Sequence, residues 1–318
     1  MDSHQQTNGS NTVDRKLWAS AALNSAITLV EFIGGLLSGS LALLSDAVHN
    51  TSDVVSLALA IWARRVGRKP ATYRHTYGFR RAEVIAALAN AVALLGVTVL
   101  IAREAFVRLL HPEPVSQGIM LGVGVVALLA NAGSVLLLHR HEKNDVNVRS
   151  AVLHLAQDAL ASVAVVIAAL FANTRFGPHV DPAVALLVGV LVMRSAYSLV
   201  RETVSTLLEG APPDVDLEEL VDRVRKRFHP ATLHHVHLWE AGPGQRIFTA
   251  HVALGREMDG GSIELLFVRM KEFLHEEWDI AHATLEPEVC GCGETEVLAQ
   301  WNARVTSTSP RRSPGSST

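Results

Sequence analysis

Six long apolar stretches separated by polar connections fill the first two thirds of the chain, at 18–37, 41–62, 82–102, 119–138, 151–172 and 182–199. A bilayer core takes about 20 apolar residues per helix, so the pattern predicts six transmembrane helices. Six such stretches in succession disfavour a soluble bundle of large buried helices. From residue 214 the pattern changes. "DVDLEELVDRVRKRF" sets Leu217, Leu220, Val221, Val224 and Phe228 at helical spacing behind an N-cap at Asp216, with Glu219 three residues on. "LHHVHLWEA" and "RIFTAHVAL" flank "GPGQ" as a hairpin, and an amphipathic helix at 262–278 leads to a last strand, "IAHATLEPE". The predicted order is αββαβ.

The expected divisions are a disordered tail at 1–15, a six-helix membrane domain at 16–210, an α/β domain at 211–292 and a Ser/Pro-rich disordered tail at 293–318. No internal repeat stands out. Composition sharpens this: 49% hydrophobic residues with only 5% aromatic ones, and a positive mean hydropathy, point away from an ordinary soluble enzyme. The opening "MDSHQQTNGSNTVDRK" lacks the apolar core of a cleaved secretion signal. A net charge of −3 and the lack of a basic tract interleaved with aromatics argue against a nucleic-acid partner.

Orientation follows from basic residues. The link after the second stretch carries Arg64, Arg65, Arg68, Lys69, Arg74, Arg80 and Arg81, and the link after the fourth adds Arg140, Lys143 and Arg149. The opposite side offers chiefly Arg108 and Arg175, with Arg103 near a span end. Both richer links, and both termini, are therefore expected in the cytoplasm, with the protein in a plasma (inner) membrane. Cys290 and Cys292, one residue apart, suit a shared soft metal or no role at all better than a normal disulfide, and fit a reducing compartment.

The second stretch contains "SDAVHNTSD", with Asp46, His49 and Asp53 in otherwise apolar surroundings. An ionised group at mid-membrane costs at least about 2.5–3.5 kcal/mol, so such groups persist mainly when partnered. His49 and Asp53 are four residues apart and stack on one helical face. The fifth stretch repeats the spacing in "HLAQD", with His154 and Asp158. One such pair alone is more often packing than chemistry. Two pairs on facing helices would present two imidazoles and two carboxylates near the midplane, a nitrogen and oxygen set suited to tetrahedral Zn²⁺ rather than to Mg²⁺ or Ca²⁺.

Strand alternation sorts the α/β domain into two faces. Val236, Leu238, Phe248, Ala250, Val252, Leu254, Ala281, Ala283 and Leu285 fall on an apolar side. His235, His237, Trp239, Thr249, His251, His282, Thr284, Glu286 and Glu288 fall on the other, which points to a cytosolic metal site or a dimer interface. By the same rule His234 faces the core, unless it escapes by lying at the first residue of its strand.

"SDAVHNTSD", "HLAQD", "HTYGFRRAEVIAALAN" and "HHVHLW" together resemble the cation diffusion facilitator family of metal transporters, over about 16–288. The resemblance implies that His49, Asp53, His154 and Asp158 form the transport site, and that a His at the first position favours zinc. It also implies a dimerising, metallochaperone-like (ferredoxin-like) cytosolic domain in which zinc draws two copies together, with His234, His237, His251, His282 and Glu286 in ligand columns. Asp46 resembles a recurrent family acid that tunes or hydrates the site, against the reading that it is partly solvated near the outer interface. Asn24, Glu31, Asn90 and Asn131 read as interhelical hydrogen-bond partners or as cavity lining. His75 matches a loop position that binds a second metal in some members, but Thr72 and Phe79 stand where its helpers would be. His139 and His141 read as metal capture or as a solvated basic loop, and Cys290 and Cys292 as an extension of the cytosolic site or a free pair. Arg81 and Glu209 fall near positions that couple bundle and tail by a charge pair.

The functional expectation is export of cytosolic Zn²⁺ in exchange for protons by alternating access, since ligands must shed protons to take a cation. The partners would be divalent ions, protons, the bilayer and a second copy. Co²⁺, Cd²⁺, Fe²⁺, Ni²⁺ and Mn²⁺ stay open as further cargo. The alternatives are a zinc-gated channel or sensor and, behind it, an intramembrane zinc hydrolase. The last lacks an HExxH motif and a separate general base, so the chain does not read as an enzyme.

Overall fold

In hydrocarbon a backbone must satisfy its own N–H and C=O groups, so unbroken Ala, Leu and Val runs become helices. The computed structural model describes residues 22–139, 146–254, 258–288 and 297–298. The 1–15 tail, most of 293–318, Arg140, His141, Lys143, Cys290 and Cys292 lie outside the described residues. The described chain begins with α1 (Ala22–Ser38). It continues through α2 (Leu41–Gly67), α3 (Arg81–Leu110), α4 (Gln117–His139), α5 (Val146–Phe171) and α6 (Gly177–Leu207).

Four helices, α3 to α6, are long and apolar enough to cross a membrane. The expected six are thus supported at four by length and composition alone. Within its described residues α1 is shorter, and the apolar run of α2 is interrupted by Asp46, His49, Asn50 and Asp53. Helices α3 and α6 outrun the apolar stretches that predicted them, and Pro182, expected to open the last span, lies inside α6.

The chain divides into two compact units, Met1–Lys69 with Ile85–Thr203, and Pro70–Val84 with Val204–Thr318. In the first, α4 packs along α5, and α2 also meets α5. Leu41, Leu43, Ala105, Met120, Val165, Ala168 and Ala185 form one buried cluster, while Leu36, Leu100, Leu129, Leu136, Leu160 and Leu191 point outward, as a lipid-facing surface requires. Gly39 joins α1 to α2 with φ +72°, a conformation that side chains rarely tolerate.

In the second unit, α7 (Leu217–Arg227) is followed by β1 (Thr232–Glu240), β2 (Arg246–Ala253), α8 (Gly260–Trp278) and β3 (Ile280–Glu288), in the αββαβ order read from the sequence. Asp216 caps α7 by accepting from the N–H groups of Glu218 and Glu219. The sheet runs β1-β2-β3, with β1 antiparallel and β3 parallel to β2. Leu220, Val224, Leu233, Val236, Phe248, Val252, Met270, Leu274 and Leu285 build its core. At the hairpin tip, a Cβ on Gly242 would lie 3.1 Å from the Arg80 carbonyl, so glycine permits that close approach. Arg81 and Glu209, paired in expectation, lie 2.8 Å apart.

Strict alternation fails twice in the sheet. Between His234 and His237 the β1–β2 register shifts, with His235 in a left-handed conformation at φ +51°. This bulge puts an extra residue in β1, so Leu233, Val236 and Leu238 all reach the core. It also frees the Val236 N–H from the ladder, and that group donates to the Val297 carbonyl at 2.8 Å. Val297 packs on the core, past the expected 292 boundary. A second shift between Arg246 and Ile247 leaves Ala281 exposed, a correction to its expected place in the core.

Candidate metal sites

On α2 the i, i+4 spacing stacks His49 above Asp53, with Nε2 and Oδ2 3.8 Å apart. On α5 the same spacing sets His154 Nε2 3.7 Å from Asp158 Oδ2. Packing of α2 against α5 then joins the pairs, because Asp53 Oδ2 lies 3.3 Å from His154 Nε2 and the two imidazole centroids are 6.2 Å apart. One ligand atom from each of His49, Asp53 and His154 falls within 4.8 Å of the others, a spread that one cation can span. Asp158 adjoins this trio through His154 and is 1% exposed.

The charge balance of the cluster is distinctive. Among the described residues, His49 Nδ1, Asp53 Oδ2 and both carboxylate oxygens of Asp158 are buried without a hydrogen-bond partner. Unmatched acceptors in apolar surroundings carry a desolvation cost of about 1–3 kcal/mol each, more when charged. A divalent cation is the chemical complement of such a set. Two imidazoles and two carboxylates match the donors that zinc takes at about 2.0–2.2 Å, after small side-chain rotations from the present distances.

Neighbouring helices hold the cluster by polar contacts. From α3, Asn90 donates to the Ser52 hydroxyl at 2.9 Å and to the Ser56 hydroxyl at 2.7 Å, on either side of Asp53. From α1, Glu31 accepts from Asn50 at 3.0 Å, one residue from His49. From α4, Asn131 donates to the Ser162 hydroxyl at 3.5 Å, and that hydroxyl donates to the Asp158 carbonyl at 3.0 Å. Glu31, Asn90 and Asn131 thus act as bonds between helices. Asp46 is 1% exposed, and its Oδ1 lacks a partner among the described residues. That corrects the partly solvated reading of Asp46.

Asp181, which the sequence did not single out, positions α2. Its buried carboxylate on α6 accepts from the Ser40 hydroxyl at 2.5 Å and from the N–H groups of Leu41 at 2.9 Å and Ala42 at 3.3 Å. Ser40 Oγ accepts from the Leu43 N–H at 3.2 Å. A negative group is thereby set on the positive end of the helix that carries His49 and Asp53. Arg108 adds a bond from α3 to the Gly39 carbonyl at 2.6 Å.

The second cluster lies on the sheet. The bulge in β1 places His234 directly opposite His251. Alternation had turned His234 into the core, and its allowed escape as a first strand residue does not apply, since the strand begins at Thr232. Glu288 bridges both rings, with Oε2 3.0 Å from His234 Nε2 and Oε1 2.6 Å from His251 Nδ1. His234, His251 and Glu288 can each bring one ligand atom within 4.8 Å of the others. The His235 and His251 centroids lie 4.8 Å apart, and Glu286 Oε2 is 3.5 Å from His251 Nε2.

The sheet does not bring every candidate there. His237 pairs with Thr249 and is exposed, whereas His282 pairs with Ile247, toward the other end of the strands, with Nε2 3.5 Å from the Thr284 hydroxyl. Neither belongs to the metal-capable group among the described residues. Glu288, which alternation set on the histidine face but which was not singled out as a ligand, completes the group. His75 is exposed and stacked on Phe79 with centroids 4.5 Å apart. It joins no metal-capable group among the described residues.

The Cation efflux transmembrane domain, a family profile, matches residues 17–208. The chain is 39% identical over 280 residues to "Zinc transporter ZitB" of Escherichia coli (strain K12), covering 87% of this chain and 88% of that one. It is 32% identical over 305 residues to "Metal cation efflux system protein CzcD" of Cupriavidus metallidurans, covering 95% and 94%. It is 30% identical over 287 residues to the "Cadmium, cobalt and zinc/H(+)-K(+) antiporter" of Bacillus velezensis, covering 90% and 91%. Apolar helices long enough to cross a membrane, paired His/Asp helices and these likenesses agree, and the chain belongs to the cation efflux family of integral membrane proteins.

Proposed function

We propose that the protein exports divalent cations, zinc foremost, in exchange for protons, by alternating access around His49, Asp53, His154 and Asp158. The observation that carries this reading is the convergence of two i, i+4 His/Asp pairs on facing helices, with Asp53 Oδ2 3.3 Å from His154. The names of these relatives add zinc, cadmium, cobalt and proton antiport as chemistry of similar chains. In this reading six spans, including α1 and α2, leave both termini on one side, the basic links make that side the cytoplasm, and a metal-responsive, dimerising domain lies at 211–292.

The residues divide the work. His49 and His154 supply neutral imidazole nitrogens, and Asp53 and Asp158 supply charge. Asp46 tunes or hydrates the set from one turn away. A cation arriving from the cytoplasm displaces protons from these groups, and protons arriving from the far side displace the cation. One population of protein therefore cycles between two competing ligands, and inward proton flow drives metal outward. Selectivity follows from two imidazoles, which favour zinc and its neighbours over Mg²⁺ and Ca²⁺.

Sealed inside-out vesicles test this directly. Adding zinc outside should take up metal and alkalinise the lumen as protons leave it. Asp53→Ala and Asp158→Ala should abolish both signals. Undiminished exchange in both variants sinks the site assignment. Zinc flux with no proton movement favours a channel, and no flux at all favours a sensor.

A further inference from the structure

Helix α6 carries a feature unrelated to the cation cluster. Arg194, Ser195, Tyr197, Ser198 and Arg201, with Leu191, line a concave surface of about 530 Å³ on its outward face. Arg194 and Arg201 are seven residues apart, which in a helix puts them on the same side, about 10 Å apart along the axis. Among the described residues, neither arginine makes an ion pair. Toward the helix start the same face continues as Leu187, Val190 and Leu191, each more than half exposed. The surface is therefore apolar at one end and cationic at the other, with three hydroxyls between the two arginines.

We propose that this surface is a binding site for an anionic phospholipid of the cytoplasmic leaflet, its phosphate held by Arg194 and Arg201 and its acyl chains lying along Leu187, Val190 and Leu191. This rests on the reading that α6 spans the membrane with its last turns cytoplasmic. The apolar stretch predicting that span is 182–199, so Arg194 starts inside the hydrocarbon and Arg201 just beyond it. A guanidinium at that depth reaches toward the interface along its aliphatic stem. There the available counter-charge is phosphate, which Arg binds with two parallel hydrogen bonds. Ser195, Ser198 and Tyr197 add hydroxyl donors to the same headgroup. Tyr197, at 63% exposure, sits where aromatic residues mark the membrane boundary.

The test uses the full-length protein and an R194Q/R201Q variant. Native mass spectrometry after incubation with equal phosphatidylglycerol and phosphatidylcholine should show wild type retaining the anionic lipid by about tenfold over the neutral one. The variant should retain both alike, and R194K/R201K should fall between, which identifies a charge effect with an added gain from the guanidinium fork. Equal retention by wild type and R194Q/R201Q overturns the proposal. So does displacement of the lipid by millimolar inorganic phosphate, which assigns the site to a free anion, or a change of oligomeric state in the variant, which assigns it to a second copy. Zinc uptake in vesicles of equal phosphatidylglycerol and phosphatidylcholine is the separate control. If wild type fails there, the carrier reading fails. If wild type and R194Q/R201Q both transport, that reading stands whatever the lipid result.

Discussion

The two clusters reach an arrangement able to hold a metal by opposite routes. In the membrane unit, one spacing used twice supplies all four groups, and helix packing only has to bring two faces together. In the C-terminal unit, His234, His251 and Glu288 come singly from three strands, and a bulge is needed to align them. Their polar groups are satisfied to different degrees as well. Glu288 already holds both imidazoles at 2.6 and 3.0 Å, while the oxygens of Asp158 have no hydrogen-bond partner among the described residues. A satisfied cluster tolerates the absence of metal. An unsatisfied one in apolar surroundings favours any cation or proton that reaches it, which suits the proposed exchange of the two.

The sharpest break between the clusters is functional. Asp158→Ala should lower metal uptake into inside-out vesicles by about 100-fold or more, beyond the 10–100-fold typical of losing a supporting residue. His251→Ala should leave uptake at saturating zinc largely intact and shift only its zinc dependence. Equal losses in both variants would erase the distinction between carrier site and regulatory site.

A second comparison isolates the sheet cluster. In an Asp158→Ala background, Glu288→Ala should weaken the remaining zinc binding by about tenfold or more, as equilibrium dialysis would show. His282→Ala and His237→Ala should change it little, because neither lies with the group. Lower pH should weaken binding throughout, as protons compete for the same atoms. Stronger dependence on His282 than on Glu288 would mean that the strands reorganise around metal.

These contrasts explain what the sequence made legible. Apolar run length identified α3 to α6, and local periodicity the αββαβ order, because each depends on neighbours in the chain. The His/Asp tetrad was readable because i, i+4 spacing fixes a face without tertiary information. The sheet cluster was only half readable. Alternation assumes an unbroken ladder, and His235 at φ +51° breaks it, turning His234 toward His251. Nothing local in "LHHVHLWEA" demands a left-handed histidine. Asp181 was invisible for a similar reason, since its role is to bind a helix start 140 residues away.

Asp181 offers the next largest effect, and one confined to the membrane unit. Asp181→Ala leaves the Ser40 hydroxyl and the N–H groups of Leu41 and Ala42 without their acceptor in a buried setting. It should cost about 2–4 kcal/mol, the sum of a lost helix cap and stranded donors. A fall in thermal midpoint, with partial rescue in Asp181→Asn, would show this. A change in zinc affinity without loss of stability would instead make Asp181 part of the transport chemistry.

The C-terminal unit has a counterpart cap whose effect should be the smallest, and whose pH dependence separates it from Asp181. Asp259 precedes α8 and accepts from the Ser262 N–H at 2.8 Å. That backbone bond foremost, and the Ser262 side chain next, hold its carboxyl below the usual aspartate value. Because the folded form gives up its proton more readily than the unfolded one, the stabilisation is fully present above the ordinary aspartate range near pH 4. It is lost as pH falls through the lowered folded value. Asp259→Asn keeps a capping oxygen but cannot titrate. The thermal midpoints of wild type and variant should therefore differ by a small, constant amount at neutral pH, and the gap should close on acidification below about pH 4. A gap that stays constant into that range would assign the effect to cap geometry alone. Asp259 is exposed and bonds only within its own helix start, so even full loss should leave metal uptake unchanged, whereas Asp181 ties α6 to the start of the helix that carries His49 and Asp53 and should not be so easily dispensed with.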